Sequence, residues 1–127
     1  MTYIVQKFGG TSVGDIGRIE HVANIIASEV KKKNKVIAIV SAMSQETNRL
    51  VELIKGTTSI YDGREYDGIV STGENVTAGL LSIKLQNIGI PARSWLGWQI
   101  PILTTDMHTD ARIQEINRKN IERKFKE

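Results

Sequence analysis

A lysine, two adjacent glycines and two hydroxyl residues near the N-terminus form a combination that could bind phosphate. Lys7 stands two positions before the run Gly-Gly-Thr-Ser at 9–12. Adjacent glycines let the backbone approach a ligand closely, and amide N–H groups, a helix N-terminus and a lysine all favour an anion. We therefore predict that Gly9, Gly10, Thr11 and Ser12 bind a phosphoryl group, with Lys7 supplying positive charge.

The two glycines also have a purely structural explanation. A tight turn between a strand and a helix uses glycine where the backbone needs a positive φ angle. The run does not end in the Gly-Lys-Ser/Thr of a Walker A loop, and it lacks the Gly-x-Gly-x-x-Gly spacing of a dinucleotide site. Both explanations stay open from the residues alone.

Two further groups of small polar residues could recognise a zwitterionic small molecule. Ser41 lies near the end of the apolar run at 36–43, Thr47 follows that run, and Glu74 closes the sequence Ser-Thr-Gly-Glu at 71–74. A carboxylate can take an ammonium group while hydroxyls take a carboxylate, so we predict these roles for Glu74 and for the Ser41 and Thr47 hydroxyls. A favourable interaction of Glu74 with a helix dipole is the simpler alternative.

The surrounding pattern predicts the elements that would hold these groups. Strands are expected at 3–8, 36–43, 69–70 and 92–96, with an extended piece at 100–104. Helices are expected from Asp15 to the lysines at 31–33, from a Ser44 cap to Gly56, over 75–87 and over 113–125, and a loop over 56–68. Alternation of strands and helices predicts an α/β fold with a mainly parallel sheet between helix layers.

The three polar groups should meet at one edge of that sheet. Ligands of open parallel sheets gather at the carboxyl ends of the strands, where each loop enters its following helix. Each group follows a predicted strand at the corresponding position. We therefore expect a single site built from three loops.

Composition excludes several other classes of function. The 127 residues contain no cysteine, and His21 and His108 lack partners at metal-ligand spacing, so we expect no metal site in the protein itself. The net charge of +3 comes from a C-terminal segment with a single aromatic residue, which disfavours nucleic-acid binding. No stretch approaches the ~18 apolar residues of a membrane span. These features predict a cytoplasmic protein that binds neither nucleic acid nor membrane.

Four segments in order resemble the motifs of aspartate kinases. They are KFGGTSVG from Lys7, VSAMSQETNRL from Val40, STGENVTAGLL from Ser71 and GWQIPILTT from Gly97. Aspartate kinases belong to the amino acid kinase family, whose fold is a three-layer α/β/α sandwich. The resemblance implies Mg-ATP-dependent phosphorylation of the L-aspartate β-carboxylate to 4-phospho-L-aspartate, the first step towards lysine, threonine, methionine and diaminopimelate.

The resemblance also implies roles for individual residues. Lys7 would be the catalytic residue that stabilises the transferring phosphoryl group, while the Gly9 and Gly10 amides approach it. Ser41 and Thr47 would contact aspartate, and Glu74 its amino group. ATP would be the cosubstrate, with Mg2+ bound through the nucleotide. Two residues depart from the motifs. Gln45 stands where these enzymes usually have glycine, and Asn75 stands where they usually have Gln or a similar residue.

One motif of aspartate kinases, a GRGGSD-like segment, does not occur in the sequence. We therefore expect residues 1–127 to be the N-terminal part of an amino acid kinase domain, without the nucleotide-binding half or the ACT regulatory domains. Such a chain would need a C-terminal half or self-association to be active. The alternatives are an inactive truncated remnant, a non-enzymatic assembly subunit, or a different small-molecule kinase of the same fold.

Overall fold

The computed structural model describes residues 2–126, which form four strands and five α-helices. In chain order these are β1 (Tyr3–Phe8), α1 (Ile16–Lys31), β2 (Lys35–Val40), α2 (Glu46–Thr57), α3 (Gly63–Val70), α4 (Thr72–Asn87), β3 (Ile102–Thr104), β4 (Ile113–Ile116) and α5 (Arg118–Lys124). A short 3-10 turn covers Gly97–Gln99.

The centre of the fold is a parallel pair of strands connected by a helix. β1 and β2 run in register from Tyr3 opposite Lys35 to Phe8 opposite Val40, and α1 makes the crossover between them. α1 begins and ends as its sequence predicts, because Asp15 caps its first turn and Lys31 lies in its last turn.

Helices cover one face of this small sheet, and the other face has, among the described residues, a single aromatic contact. On one face, the buried side chains of α1 and α4 form the core with Phe8 and with alternate residues of β2. On the other face, the Phe125 ring at the end of α5 meets the Tyr3 ring edge-on at 5.4 Å. This arrangement confirms the predicted α/β class. In the part of the chain that the structure describes, the parallel sheet has two strands, and β3 and β4 form a separate two-stranded sheet.

The third predicted strand, at 69–70, is wrong. Ile69 and Val70 form the last turn of α3, and only Ser71, itself in a helical conformation, separates α3 from α4. Much of the predicted loop at 56–68 is therefore helical. Asp62 is the reason, because its side chain accepts the backbone N–H groups of Arg64 and Glu65 and so begins a helix at Gly63 instead of closing a turn.

The predicted helix over 113–125 is also wrong in its first part. Ile113 to Ile116 form β4, which pairs antiparallel with β3, and α5 begins only after the Asn117 cap. The pairing contains an irregularity between Leu103 and Thr104, where β4 has one extra residue. This extra residue separates the two isoleucines of β4 by three positions, a spacing that imitates a helix face.

Three smaller predictions were also incorrect. Residues 92–96 form no strand. β2 ends at Val40, so the last residues of the apolar run at 36–43 already belong to the loop into α2. The residue that precedes α2 is Gln45, which makes no side-chain capping bond, and Ser44 does not cap the helix.

Within residues 2–126, no helix has both the length and the apolar character needed to cross a membrane.

Candidate active site

An open cleft of about 470 Å³ lies where the loop after β1, the loop after β2 and the first turn of α4 come together. Its lining consists of Gly10, Thr11, Ser41, Ala42, Met43, Ser44, Gln45, Thr47, Asn48 and Glu74. The lining is therefore mostly small, with hydroxyl, amide and carboxylate groups and one methionine.

Five of the eight predicted site residues line this cleft: Gly10, Thr11, Ser41, Thr47 and Glu74. The other three, Lys7, Gly9 and Ser12, are outside the lining. The expected meeting of three segments therefore occurs, although the third segment arrives from a helix and not from a strand.

Close packing explains Gly10, and an unusual backbone angle explains neither glycine of the pair. Neither Gly9 nor Gly10 has a positive φ, so the positive-φ explanation of this turn is wrong. A Cβ atom at Gly10 would lie 3.3 Å from the Ala42 carbonyl oxygen, whereas one at Gly9 would meet nothing within 4 Å. Gly10 is thus the position at which a side chain would separate the two loops.

Two residues of the loop after β1 that line the cleft have unused backbone amides. The Ser12 N–H donates to the Gly9 carbonyl at 2.9 Å, and Arg18 Nε donates to the Thr11 carbonyl at 3.2 Å. Within residues 2–126, the N–H groups of Gly10 and Thr11 donate to no protein acceptor. Two neighbouring free amides of this kind favour an anionic ligand.

The N-terminus of α1 contributes less to anion binding than the sequence suggests. Asp15 caps this helix, and its carboxylate accepts the Arg18 N–H at 2.8 Å. A carboxylate therefore already occupies the positive end of the helix dipole. An anion in the cleft would depend on the free loop amides instead.

The loop after β2 is bonded at one end to the last residue of β1 and at the other to the loop that follows β1. The Ser41 N–H donates to the Phe8 carbonyl and the Ser44 N–H to the Gly14 carbonyl, each at 3.2 Å. Gln45 adopts a left-handed conformation with φ of 64°, and its side-chain oxygen accepts from Asn48 Nδ2 at 2.9 Å. The sequence signalled this position, because glycine, which favours such a conformation, is the usual residue there in the motif that the segment resembles.

Two carboxylates lie near the cleft, and they differ in whether they are paired. Arg49 donates to both oxygens of Glu46, at 2.7 and 3.0 Å, and these hydrogen bonds hold the pKa of Glu46 below its ordinary value. Glu74 is half-buried and makes no hydrogen bond or ion pair within the described residues. Glu74 is thus the carboxylate that remains available for a cationic group.

Lys7 does not line the cleft, and it lies on the face of the sheet opposite the core. It precedes Phe8, which packs into the core, so its side chain leaves the opposite face of β1, next to Ile39 of β2. The side chain is exposed and unpaired within residues 2–126.

The described part of the chain contains no group of three or more His, Asp or Glu side chains that could hold a metal ion.

The comparisons with known proteins agree with the observed fold. The profile of the amino acid kinase family matches residues 2–127, and the chain therefore belongs to that family. Among its relatives, the aspartokinase of Geobacillus stearothermophilus is 49% identical over 123 residues, which is 97% of this chain and 30% of that protein. The aspartate kinase of Pseudomonas putida is 48% identical over 127 residues, 100% of this chain and 31% of that protein.

A solved structure leads to the same family. The aspartate kinase from Synechocystis superposes with a TM-score of 0.79 at 40% sequence identity, over 93% of this chain and 20% of that one. The chain thus spans about 30% of the length of the curated relatives it matches.

Proposed function

We propose that this chain provides the aspartate-binding part of an aspartate kinase. The reaction is attack of the β-carboxylate oxygen of L-aspartate on the γ-phosphorus of Mg-ATP, which forms 4-phospho-L-aspartate and releases ADP. The observation that carries the proposal is the composition of one cleft, in which unpaired Glu74, the Ser41 and Thr47 hydroxyls and two free amides lie together. The names of the relatives support it.

Substrate binding would depend on the two polar sides of the cleft. Glu74 binds the ammonium group of aspartate through a charge-assisted hydrogen bond, and the hydroxyls of Ser41 and Thr47 donate to a carboxylate. Because the cleft fixes both groups on a folded framework, it selects an amino acid by the distance between its charges.

Phosphoryl transfer would depend mainly on electrostatic stabilisation. The Gly10 and Thr11 amides face the developing charge on the phosphoryl oxygens, and the long, flexible stem of Lys7 lets its ammonium group reach over the end of β1. ATP, carrying Mg2+ on its phosphates, supplies the phosphoryl group. We further propose that residues 1–127 are the N-terminal part of the kinase domain and that a C-terminal part or a second copy completes the nucleotide site.

A chimeric enzyme tests this function whatever the length of the natural polypeptide. The chain replaces the matching segment of the Geobacillus stearothermophilus aspartokinase, to which it is 49% identical. Aspartyl phosphate is trapped with hydroxylamine and measured as the hydroxamate. We expect activity with L-aspartate and little with L-glutamate, and a loss on the order of 100-fold or more for Lys7→Ala.

Glu115→Gln is the matched control, because Glu115 is exposed on β4. It should retain the activity of the parent chimera. A folded chimera that produces no hydroxamate, or one that prefers L-glutamate, would contradict the proposed function.

A further inference from the structure

Ala42 lies at the point where the three segments of the cleft touch. Its carbonyl oxygen would be 3.3 Å from a Cβ atom at Gly10, and its own Cβ would be 3.0 Å from one at Gly73. Ala42 is only 4% exposed, and neither glycine has a positive φ. What these two positions require is therefore the absence of a side chain, so that the loop after β1 and the helix α4 can both contact Ala42.

At Gly73 the first turn of α4 packs closely against Ala42 and α2. Gly73 immediately precedes Glu74, and a Cβ atom there would also lie 3.4 Å from Glu46 Cγ and 3.5 Å from Leu50 Cδ1. The fully buried Thr77 hydroxyl donates to the Gly73 carbonyl at 3.2 Å. The first turn of α4 is thus fixed by packing against Glu46 and Leu50 of α2 and by the hydrogen bond from Thr77 to Gly73.

We propose that Ala42 and Gly73 are positioning residues whose contact sets the place of the Glu74 carboxylate in the cleft. The inference rests on the proposed function in one respect, which is that L-aspartate is the ligand. Ala42 and Gly73 act through Glu74 and need not touch the substrate themselves.

The expected effect follows from ordinary contact distances. Carbon atoms in contact prefer separations of about 3.5–4.0 Å, so a methyl group at position 73 would push α4 away from Ala42 by roughly half an ångström or more. Charge-assisted hydrogen bonds weaken quickly when donor and acceptor separate. The affinity for L-aspartate should fall about tenfold.

Four versions of the full 127-residue chain isolate this contact. They are the parent, Gly73→Ala, Ala42→Gly and the double variant, and calorimetric titration with L-aspartate compares them. We expect Gly73→Ala to weaken binding about tenfold and the double variant to recover most of that loss, because Ala42→Gly removes the atom with which the new methyl group clashes. Gly79→Ala is the matched control, since Gly79 lies on the same helix and a Cβ atom there would meet nothing within 4 Å.

A second readout separates this inference from the proposed function. Backbone amide NMR spectra without ligand should show shifts at Glu74 and at the Gly10 loop in Gly73→Ala, a return towards parent values in the double variant and no such shifts in Gly79→Ala. If the parent chain binds no L-aspartate, the substrate assignment fails while these spectra still decide the positioning role.

Two results would overturn the inference. In one, the double variant binds L-aspartate as weakly as Gly73→Ala, or its spectrum differs from that of the parent as much as the spectrum of Gly73→Ala does. In the other, thermal melting shows that the Gly73→Ala chain is already unfolded and that adding Ala42→Gly does not restore the folded state. Refolding by Ala42→Gly would instead support the contact.

Discussion

At the scale of single residues, the proposed function depends most on the unpaired carboxylate of Glu74. Glu74→Gln removes the negative charge and keeps the size of the side chain. We expect the affinity of the chain for L-aspartate, measured by titration calorimetry, to fall roughly 10–100-fold, because a charge-assisted hydrogen bond to the ammonium group is lost.

Succinate provides the control ligand for this prediction. It has both carboxylates of aspartate and lacks the ammonium group, so Glu74→Gln should leave its binding unchanged or improve it. An equal loss of affinity for both ligands would show that Glu74 supports the shape of the cleft and does not recognise the ammonium group.

A second residue, Gln6, lies on the core-facing side of β1 with an unsatisfied polar atom. Its side-chain oxygen is buried and has no hydrogen-bond partner. Gln6→Met keeps the length and removes the polar group, so it should raise the free energy of unfolding by about 1 kcal/mol. Urea denaturation measures this change, and an unaltered or lower stability would show that the Gln6 amide is satisfied in solution.

At the scale of elements, Asp67 connects α3 to the loop between β3 and β4. Its Oδ2 atom accepts the Thr109 N–H and lies 2.9 Å from His108 Nδ1, and these bonds, chiefly the one from Thr109, lower the pKa of Asp67. Because the pKa of Asp67 is lower in the folded chain than in the unfolded chain, its ionised carboxylate stabilises the fold. This stabilisation is fully present above the ordinary carboxyl pKa of about 4 and is lost as the pH falls through the lowered pKa.

Asp67→Asn should therefore melt at a lower temperature than the parent chain at neutral pH, with the difference shrinking towards pH 3. Thermal unfolding followed by circular dichroism between pH 3 and 7 measures both curves. Asp106→Asn is the control, because Asp106 lies in the same loop and makes no hydrogen bond or ion pair within the described residues. A constant difference across this pH range would contradict the assigned role of Asp67.

The end of α4 gives a second test at this scale. Gly89 has a φ of 81°, its N–H donates to the Gln86 carbonyl, and the Ile90 N–H donates to the Leu85 carbonyl, which together form a Schellman motif. Gly89→Ala should destabilise the fold by about 1 kcal/mol through backbone strain alone. Gly79→Ala, in the middle of the same helix, should stabilise it by up to about 1 kcal/mol. Equal effects of the two substitutions in urea denaturation would contradict this interpretation.

The sequence was sufficient for elements that carry a complete local signal. α1 has a cap, an apolar face and a basic end, and β1 is a short run bounded by the glycine turn, so both were predicted close to their observed bounds. β2 was located correctly, but its predicted end lies three residues beyond Val40. The hairpin of β3 and β4 could not be predicted, because the extra residue in β4 gives its isoleucines a helical spacing. The contact between Gly73 and Ala42 was equally hidden, since it joins residues that are close only after folding.

At the scale of the whole molecule, one face of the parallel sheet retains exposed apolar side chains. Val5 is 65% exposed and Ile39 is 48% exposed, and the alternation of the strands places both on the face that carries Lys7. Parallel strands are normally covered on both faces. We therefore expect the purified chain to self-associate reversibly through this face as its concentration rises.

Val5→Thr combined with Ile39→Thr should reduce this association, because threonine keeps the preference for strand structure while lowering the apolar area. Sedimentation velocity over a range of concentrations measures the change. Ile60→Thr is the control, since Ile60 is 86% exposed outside the sheet and should alter association little. If the double variant associates as strongly as the parent, the contact lies elsewhere, and the groove between α1 and α4, where Ile16 and Ile83 are exposed, becomes the next surface to change.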